Sequence, residues 1–268
     1  MTVKHLFVYP VKSMAGIHCD VVESGPYGLK NDRQFMLVNE RGSFLTQREL
    51  PMLSRFIPKL SGSKLTISYQ DDNRLHTLTI PLDADDIETI MPVSVWRKSF
   101  NAVHLKAYDD FFSDLLHTKC HLIKYHEKSS LQLSLEGKPE EIPSRSFVDS
   151  KPLLVIGTAS LNDLNSRLPA DMNVGWDRFR PNIVVETSLP YEEDAWETIT
   201  IGNIQAKRVK SCARCVMVNV NQQTAKKEVE PLKTLSSYRK EGNKVLFGTY
   251  FAPTKHNGFI QLGNKVMI

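Results

Sequence analysis

Apolar and polar residues alternate over short runs along this chain, and turn residues break those runs almost everywhere. In KLTISYQDDNRLHTLTI, Leu65, Ile67 and Tyr69 lie on one side of an Asp71-Asp72-Asn73 turn, and Leu75, Leu78 and Ile80 follow it. A period of two sends alternate side chains to one face of a strand, so this stretch predicts a hairpin. QFMLVNERGSFLTQ predicts two strands around Asn39-Glu40-Arg41-Gly42, with the glycine supplying a positive φ. VKHLFVY reads as an N-terminal strand stopped by Pro10, and VSVWRKSFNAVHL as one or two more. Strands resume late in the chain with FRPNIVVE, WETITIG, IQAKRVK, VLFGTYFA and FIQLGNKVMI. Short strands at this spacing build barrels or sandwiches rather than a doubly wound sheet. The expected fold class is mainly β with a few helices, rich in β-barrel.

Helical periodicity is confined to three places. AYDDFFSDLLH sets Phe111, Phe112, Leu115 and Leu116 at helical spacing, with Asp109 and Asp110 at the end the helix dipole favours for acids. GTASLNDLNSRL follows the buried-type strand PLLVI, carries Leu161, Leu164 and Leu168 on one stripe, and offers Thr158 or Ser160 as N-cap. PLKTLSSYR predicts a third, short helix with proline in its first turn. Residues 126–150 are polar and contain proline, and read as a long functional or mobile loop near a domain boundary.

Composition narrows the function classes. The chain has 268 residues, a net charge of +4 and basic residues spread along its length, which argues against binding a nucleic-acid polymer. No run approaches the ~18 apolar residues that span a bilayer, and the N-terminus lacks a signal-type apolar region, so no membrane is expected. Four cysteines make no disulfide framework in so long a chain. Cys19 and Cys120 read as inert core residues, and the expected compartment is the cytoplasm.

The remaining two, Cys212 and Cys215, form a C-x-x-C in RVKSCARCVMVNV. A structural zinc site wants two such pairs or a paired histidine motif, and neither is present. A redox dithiol wants a helix N-terminus, whereas strand-like sequence flanks this pair on both sides. Two readings stay open: small buried residues, or a thiolate ligand to a cofactor metal. Lys207, Arg208, Lys210 and Arg214 would favour a thiolate and an anionic ligand.

Other clusters place cations beside hydroxyls or amides: Lys12 and Ser13 in YPVKS, Asp32 and Arg33 in NDRQF, and Arg178, Arg180 and Asn182 in RFRPN. Together they suit a phosphate or another planar anion. No G-x-G-x-x-G, no G-x₄-G-K-[ST] and no G-x-S-x-G occurs, so dinucleotide, P-loop and lipase-type readings lose their support. The acids of YEEDAWETI read as a turn before a strand rather than as catalytic carboxylates.

Seven motifs in order resemble the MOSC-domain family: VYPVKSMAGI, NDRQFMLVNERGSFLTQRE, VIGTASLNDLNSRL, DRFRPNIVVE, EDAWETITIGNIQAKRVKSCARCVMVNVNQQT, EPLKTLSSYR and FGTYF. The resemblance implies a smaller β-rich N-terminal domain over residues 1–118 and a MOSC-type β-barrel over residues 119–268. It also implies a molybdenum–molybdopterin cofactor. The second cysteine of the family's C-x-R-C motif ligates the metal, which points to Cys215 as metal ligand and catalytic residue, with Cys212 its neighbour. Lys12, Ser13, Arg33, Arg180 and Asn182 would hold the pterin and its phosphate, with Tyr250 and Ser160 as further contacts. Ala213 stands where relatives often carry serine, which removes one side-chain hydrogen bond to the cofactor.

The implied activity is reduction of small N-hydroxylated compounds: amidoximes, hydroxylamines or N-hydroxylated bases. The sequence ends at Ile268 without a cysteine-rich [2Fe–2S] segment. Electrons are therefore expected from a separate ferredoxin- or flavoprotein-type partner. Arg48 and Asp194 are candidates for the mouth of the site. The alternatives are a non-catalytic carrier of the cofactor and a sulfur carrier that uses Cys215 as a persulfide. Pyridoxal phosphate binding, a property attached to the family as a whole, comes with no residue of its own.

Overall fold

The computed structural model describes residues 1–25, 28–84, 89–96, 98–125, 133–134, 146–255 and 257–268. Most of the long loop expected over 126–150 therefore lies outside the described residues. The chain is mostly strand with few helices. It divides into two compact bodies, one of Met1–Val8, Gly16–Lys30 and Ser150–Ile268, the other of Tyr9–Ala15 and Asn31–Asp149.

The first body is built on one large sheet. Its strands run Ile17–His18, Val3–Val8, Ile183–Val185, Leu153–Gly157, Lys244–Lys255, Ile204–Arg214, Thr198–Ile201 and Val266–Met267. Leu153–Gly157 is parallel to Ile183–Val185 and antiparallel to Lys244–Lys255. The central pair, Ile204–Arg214 on Lys244–Lys255, is long and shifts register between Gln205 and Ala206, Arg208 and Lys210, and Ser211 and Ala213. Each such bulge adds local twist, which lets one long ribbon curl. Gly248 lies in the same ribbon at φ +77°. A Cβ there would meet Ile156 Cγ1 at 2.7 Å and the Val155 carbonyl oxygen at 3.0 Å. One core, including Val3, Leu153, Val155, Ile199 and Phe251, packs on this sheet; a second, with Ile156, Leu164, Phe179, Leu235 and Phe247, gathers the helices.

The helices follow their apolar stripes. α1 (Asp109–Leu116), in the second body, buries Phe112 and Leu116 and ends on His117 at φ 50°. In the first body, α2 (Thr158–Arg167) buries Leu161 and Leu164, α3 (Trp176–Phe179) is a single turn, and α4 (Leu232–Tyr238) buries Leu235. The N-cap of α2 is Gly157, not Thr158 or Ser160. The Thr187 hydroxyl caps the helix from a distant segment, accepting from Ala159 N at 3.0 Å.

In the second body, Lys64–Gln70 and Leu75–Pro81 form the expected hairpin, and Asp71 Oδ1 holds its turn by accepting from Asn73 N and Arg74 N. VSVWRKSFNAVHL contributes to two paired strands, Ile90–Val95 and Lys98–His104. The Asn39–Gly42 turn forms as expected, with Gly42 at φ 73° and its N–H bonded to Asn39 O. The strand expected after it reduces to isolated bridges at Ser43 and Phe44, because the segment then turns inward at Thr46 and Gln47, both buried.

Gly248→Ala should destabilise the protein by about 2–4 kcal/mol in urea unfolding, since it adds a left-handed penalty to a backbone clash. Gly62→Ala is the control: φ is +55° but nothing lies within 4 Å of the added Cβ, and its cost should stay near about 1 kcal/mol.

Candidate functional site

The two cysteines of C-x-x-C have different fates because the strand ends between them. Ile204–Arg214 stops at Arg214, and VMVN becomes a 3-10 turn over Val216–Asn219 instead of the strand-like continuation the sequence suggested. Cys212, still in the strand, is 2% exposed, whereas Cys215, at the N-cap of the turn, is exposed beside an exposed Val216. No disulfide joins any of the four cysteines. Cys120 is buried, and burial pushes its thiol up to about 11, in keeping with an inert core residue. Cys19 is only half-buried, packed at the margin of the first core.

Arg214 stands between the two thiols in sequence and connects them electrostatically. Its Nη1 donates to Cys212 Sγ at 3.0 Å and its Nη2 to Phe179 O at 2.6 Å, with the guanidinium 5.3 Å above the Phe179 ring. Burial works against its charge, but Cys212, Tyr250 and Cys215 together outweigh that cost and raise its pKa. Sequence reading placed Arg214 only among surrounding cations; the arginine inside the C-x-R-C spacing was the available signal.

Tyr250, half-buried, sits opposite Lys210 on one side and Leu154 on the other. Asn182 also borders Leu154: its N–H donates to Leu154 O at 2.8 Å, and its Oδ1 accepts from Leu154 N at 3.2 Å. Asn182 Nδ2 donates to Phe7 O at 3.3 Å, so this amide ties three strands together while flanking the Tyr250 row. Arg180, two residues earlier, is 8% exposed and ends α3 at φ 57°. On the strand that leads to Cys215, Arg208 Nη2 donates to Ser211 Oγ at 3.0 Å, and Arg208 Nε is buried with no hydrogen-bond partner among the described residues.

Ser160 is differently employed. It is fully buried in α2, donates to the Glu193 carboxylate at 2.8 Å, and accepts from Tyr191 N at 2.8 Å. Burial raises the Glu193 pKa, against bonds from Gly157 and Ser160. The acids of YEEDAWETI do form a turn, Glu192–Asp194, ahead of the strand Thr198–Ile201, but Glu193 is fully buried within it. Asp194 pairs with Arg239 and accepts from Thr249 Oγ1 at 2.9 Å.

The second body carries its own basic cluster. Lys12, 4% exposed, donates to Phe147 O at 3.0 Å and to Asp149 Oδ1 at 2.6 Å, and lies 5.5 Å over the Phe44 ring. Trp96 Nε1 donates to the same Asp149 oxygen at 2.9 Å. Arg33 pairs with Asp32 and stacks 4.4 Å from the Tyr9 ring. Ser13 is buried, and its carbonyl accepts from Gln47 Nε2 at 2.7 Å. Arg48 stacks 4.4 Å from the Trp96 ring. Three candidate residues, Ser13 (φ 67°), Arg33 (φ 51°) and Arg180 (φ 57°), hold left-handed backbone. Non-glycine residues pay roughly 1–2 kcal/mol for this conformation, which persists where the surroundings fix it and is common at binding sites.

Loss of water around Asp149 works to raise its pKa, but Lys12, Trp96 and Arg33 pull it down to about 2.

Residues 1–119 match the MOSC N-terminal beta barrel domain and residues 143–267 the MOSC domain. The chain is 30% identical to mitochondrial amidoxime-reducing component 1 of Homo sapiens, across all of this chain and 82% of that protein. It is 31% identical to mitochondrial amidoxime reducing component 2 of Rattus norvegicus, across 99% of this chain and 82% of that one. It is 33% identical to the molybdenum cofactor sulfurase of Oryza sativa subsp. japonica, across 91% of this chain but only 32% of that larger protein. No helix among the described residues is long and apolar enough to cross a membrane.

The Asp149 carboxylate, held below its ordinary 3.8 in the folded state, stabilises the fold above that value. Its side chain is 47% exposed, so the contribution is discounted to about 1 kcal/mol. Asp149→Asn should cost that much in urea unfolding at pH 7. The gap from the parent protein should shrink as pH falls from about 4 towards about 2.

Proposed function

The chain belongs to the MOSC-domain family through both of its domains, and from that membership we propose that it is a molybdenum-cofactor-dependent oxidoreductase that reduces N-hydroxylated compounds. The observation that carries this reading is the divided cysteine pair: Cys212 buried and bonded to Arg214, Cys215 exposed at the strand end beside the same cation. A soft metal suits a thiolate, and a phosphate-bearing pterin suits arginine and lysine.

The donor set fits that group. Arg208 Nε is a buried N–H with no partner among the described residues, on the strand that delivers Cys215. Such a group is costly in isolation and is relieved by an acceptor. Cys215 would hold molybdenum. Arg180, Asn182 and Tyr250, in the body that carries Cys215, would supply donors to the pterin and its phosphate; Lys12, Ser13 and Arg33, in the second body, are donors of the same kind. Ser160 is left out, since its hydroxyl hydrogen is committed to Glu193. When bound, the cofactor supplies two-electron oxygen-atom chemistry.

The protein's own part is to orient and to tune. Arg214 stays charged between the two thiols. Asn182 fixes the strand row that presents Tyr250. Arg33 and Arg180 hold left-handed backbone, with Arg33 paired to Asp32 and stacked on Tyr9. Asp149 neutralises Lys12, so an incoming anion has to compete with a carboxylate and selects for strong, multiply charged groups. Electrons would come from a separate ferredoxin- or flavoprotein-type partner.

A second reading has one observation behind it. An exposed Cys215 beside Arg214 also suits a thiol that carries a persulfide or passes the cofactor on, and some relatives are named as cofactor sulfurases. The two readings separate on turnover. Protein purified from a cofactor-producing host should contain molybdenum and pterin, and should reduce benzamidoxime with an artificial electron donor. Cys215→Ala should lose molybdenum and lower turnover by more than about 100-fold, the upper end for losing a metal's supporting residue, while Cys212→Ala keeps its metal. Molybdenum retained in full by Cys215→Ala would refute the ligand assignment. Molybdenum-loaded protein with no turnover, together with a persulfide on Cys215, would favour the carrier.

A further inference from the structure

We propose that His104, Asp109 and His121 form a binding site for a divalent transition-metal ion, zinc in the first instance, separate from the cysteine-centred site. All three residues belong to the body of Tyr9–Ala15 and Asn31–Asp149. They come from three elements: the last residue of Lys98–His104, the first of α1, and the first of His121–Lys124.

Their geometry converges on one oxygen. Asp109 Oδ2 lies 2.7 Å from His104 Nε2 and 2.7 Å from His121 Nδ1. The three potential ligand atoms all lie within 4.8 Å of one another. The rings meet edge to face with centroids 4.6 Å apart, which turns a nitrogen of each towards the shared oxygen. The carboxylate is itself fixed: Asp109 Oδ1 accepts from Leu122 N at 2.9 Å, leaving Oδ2 to the two rings. A backbone bond of this kind is what commonly orients a metal-binding carboxylate.

Two neutral imidazoles can both bond to Oδ2 only if each places its single N–H on the nitrogen that faces it. A metal ion takes the place of the hydrogens that face Oδ2, and each ring then carries its hydrogen on the other nitrogen. Tetrahedral zinc, with bonds of about 2.0–2.2 Å, holds its ligand atoms roughly 3.4 Å apart. Each His–Asp pair, at 2.7 Å, therefore opens by about 0.7 Å, while the two ring nitrogens, within 4.8 Å of each other, settle to the same separation. Side-chain exposures of 15%, 13% and 28% for His104, Asp109 and His121 leave room for an ion to enter and for water to complete its coordination.

Two imidazoles and one carboxylate favour zinc and its first-row neighbours over magnesium or calcium, which prefer oxygen alone. Cys120, next to His121, does not add a ligand: its thiol is buried 3.8 Å from Ser113 Oγ and is not among the groups that converge with His104, Asp109 and His121. A bound ion would fasten α1 to both strands and stabilise this body. Zinc-ligand patterns in sequence depend on close spacing, and here the ligands are spread over residues 104–121 without a paired motif.

The test uses the full chain, free of affinity tags, carrying Cys215→Ser so that the exposed thiol does not compete. Zinc is titrated against a chromophoric chelator, and cobalt(II) serves as the spectroscopic probe. The expected result is one zinc per chain, tetrahedral cobalt d–d bands without a thiolate charge-transfer band, and a thermal midpoint that rises with zinc. His121→Gln, at the most exposed position of the three, should weaken zinc binding by at least about tenfold and abolish the zinc-dependent rise. His104→Gln should do the same; if it fails to fold, the cobalt spectrum of the parent and the His121→Gln comparison decide. Zinc affinity unchanged in His121→Gln, or cobalt bound without d–d bands, would overturn the proposal and leave a hydrogen-bonded His–Asp–His knot.

Discussion

The pairing of Ile204–Arg214 with Lys244–Lys255 is the constraint on which the first body depends. Three register shifts and a left-handed Gly248 curl these two long strands. Their pairing places Tyr250 between Lys210 and Leu154, and ends the strand at Arg214. Where the strand stops decides which cysteine is buried. Cys212 lies on a packed face of the ladder, whereas Cys215, at the N-cap of a short turn, has left the sheet. The chemistry attributed to Cys215 therefore rests on backbone geometry shaped by bulges along the same strand, the last of them between Ser211 and Ala213.

Charge is handled by the same economy in both bodies. Arg214 is desolvated but sits among thiols and a tyrosine; Lys12 is desolvated but pairs with Asp149 and a carbonyl. Each of these buried cations keeps hydrogen-bonded partners, since a buried charge left without one is strongly destabilising. Asn182, bonded to Leu154 and Phe7, ties three strands together, and Ser13, Arg33 and Arg180 hold left-handed backbone.

Much of this was legible in the sequence where the determinant is local. The hairpin around Asp71, the apolar stripe of α1 and the turn at Asn39–Gly42 depend on neighbours a few residues apart, and all formed as read. The family resemblance, carried by seven ordered motifs, agrees with the domain matches. Features set by distant contacts were not legible. The strand after Gly42 gave way because Thr46 and Gln47 turn inward. Thr187 caps α2 from outside it, and Ser160 spends its hydroxyl on Glu193, 33 residues away. Nothing in YEEDAWETI signals that its middle acid is fully buried, and no spacing rule joins His104 to Asp109 and His121.

The central claim is that Cys215, and not Cys212, is the metal-binding thiolate. Differential alkylation with mass spectrometry reads both thiols in one sample, with and without the molybdenum cofactor. In cofactor-free protein, Cys215 should react quickly, while Cys212, buried and bonded to Arg214, should react slowly. Loading the cofactor should protect Cys215 and leave Cys212 unchanged. Equal labelling of Cys215 in loaded and cofactor-free protein would contradict the account.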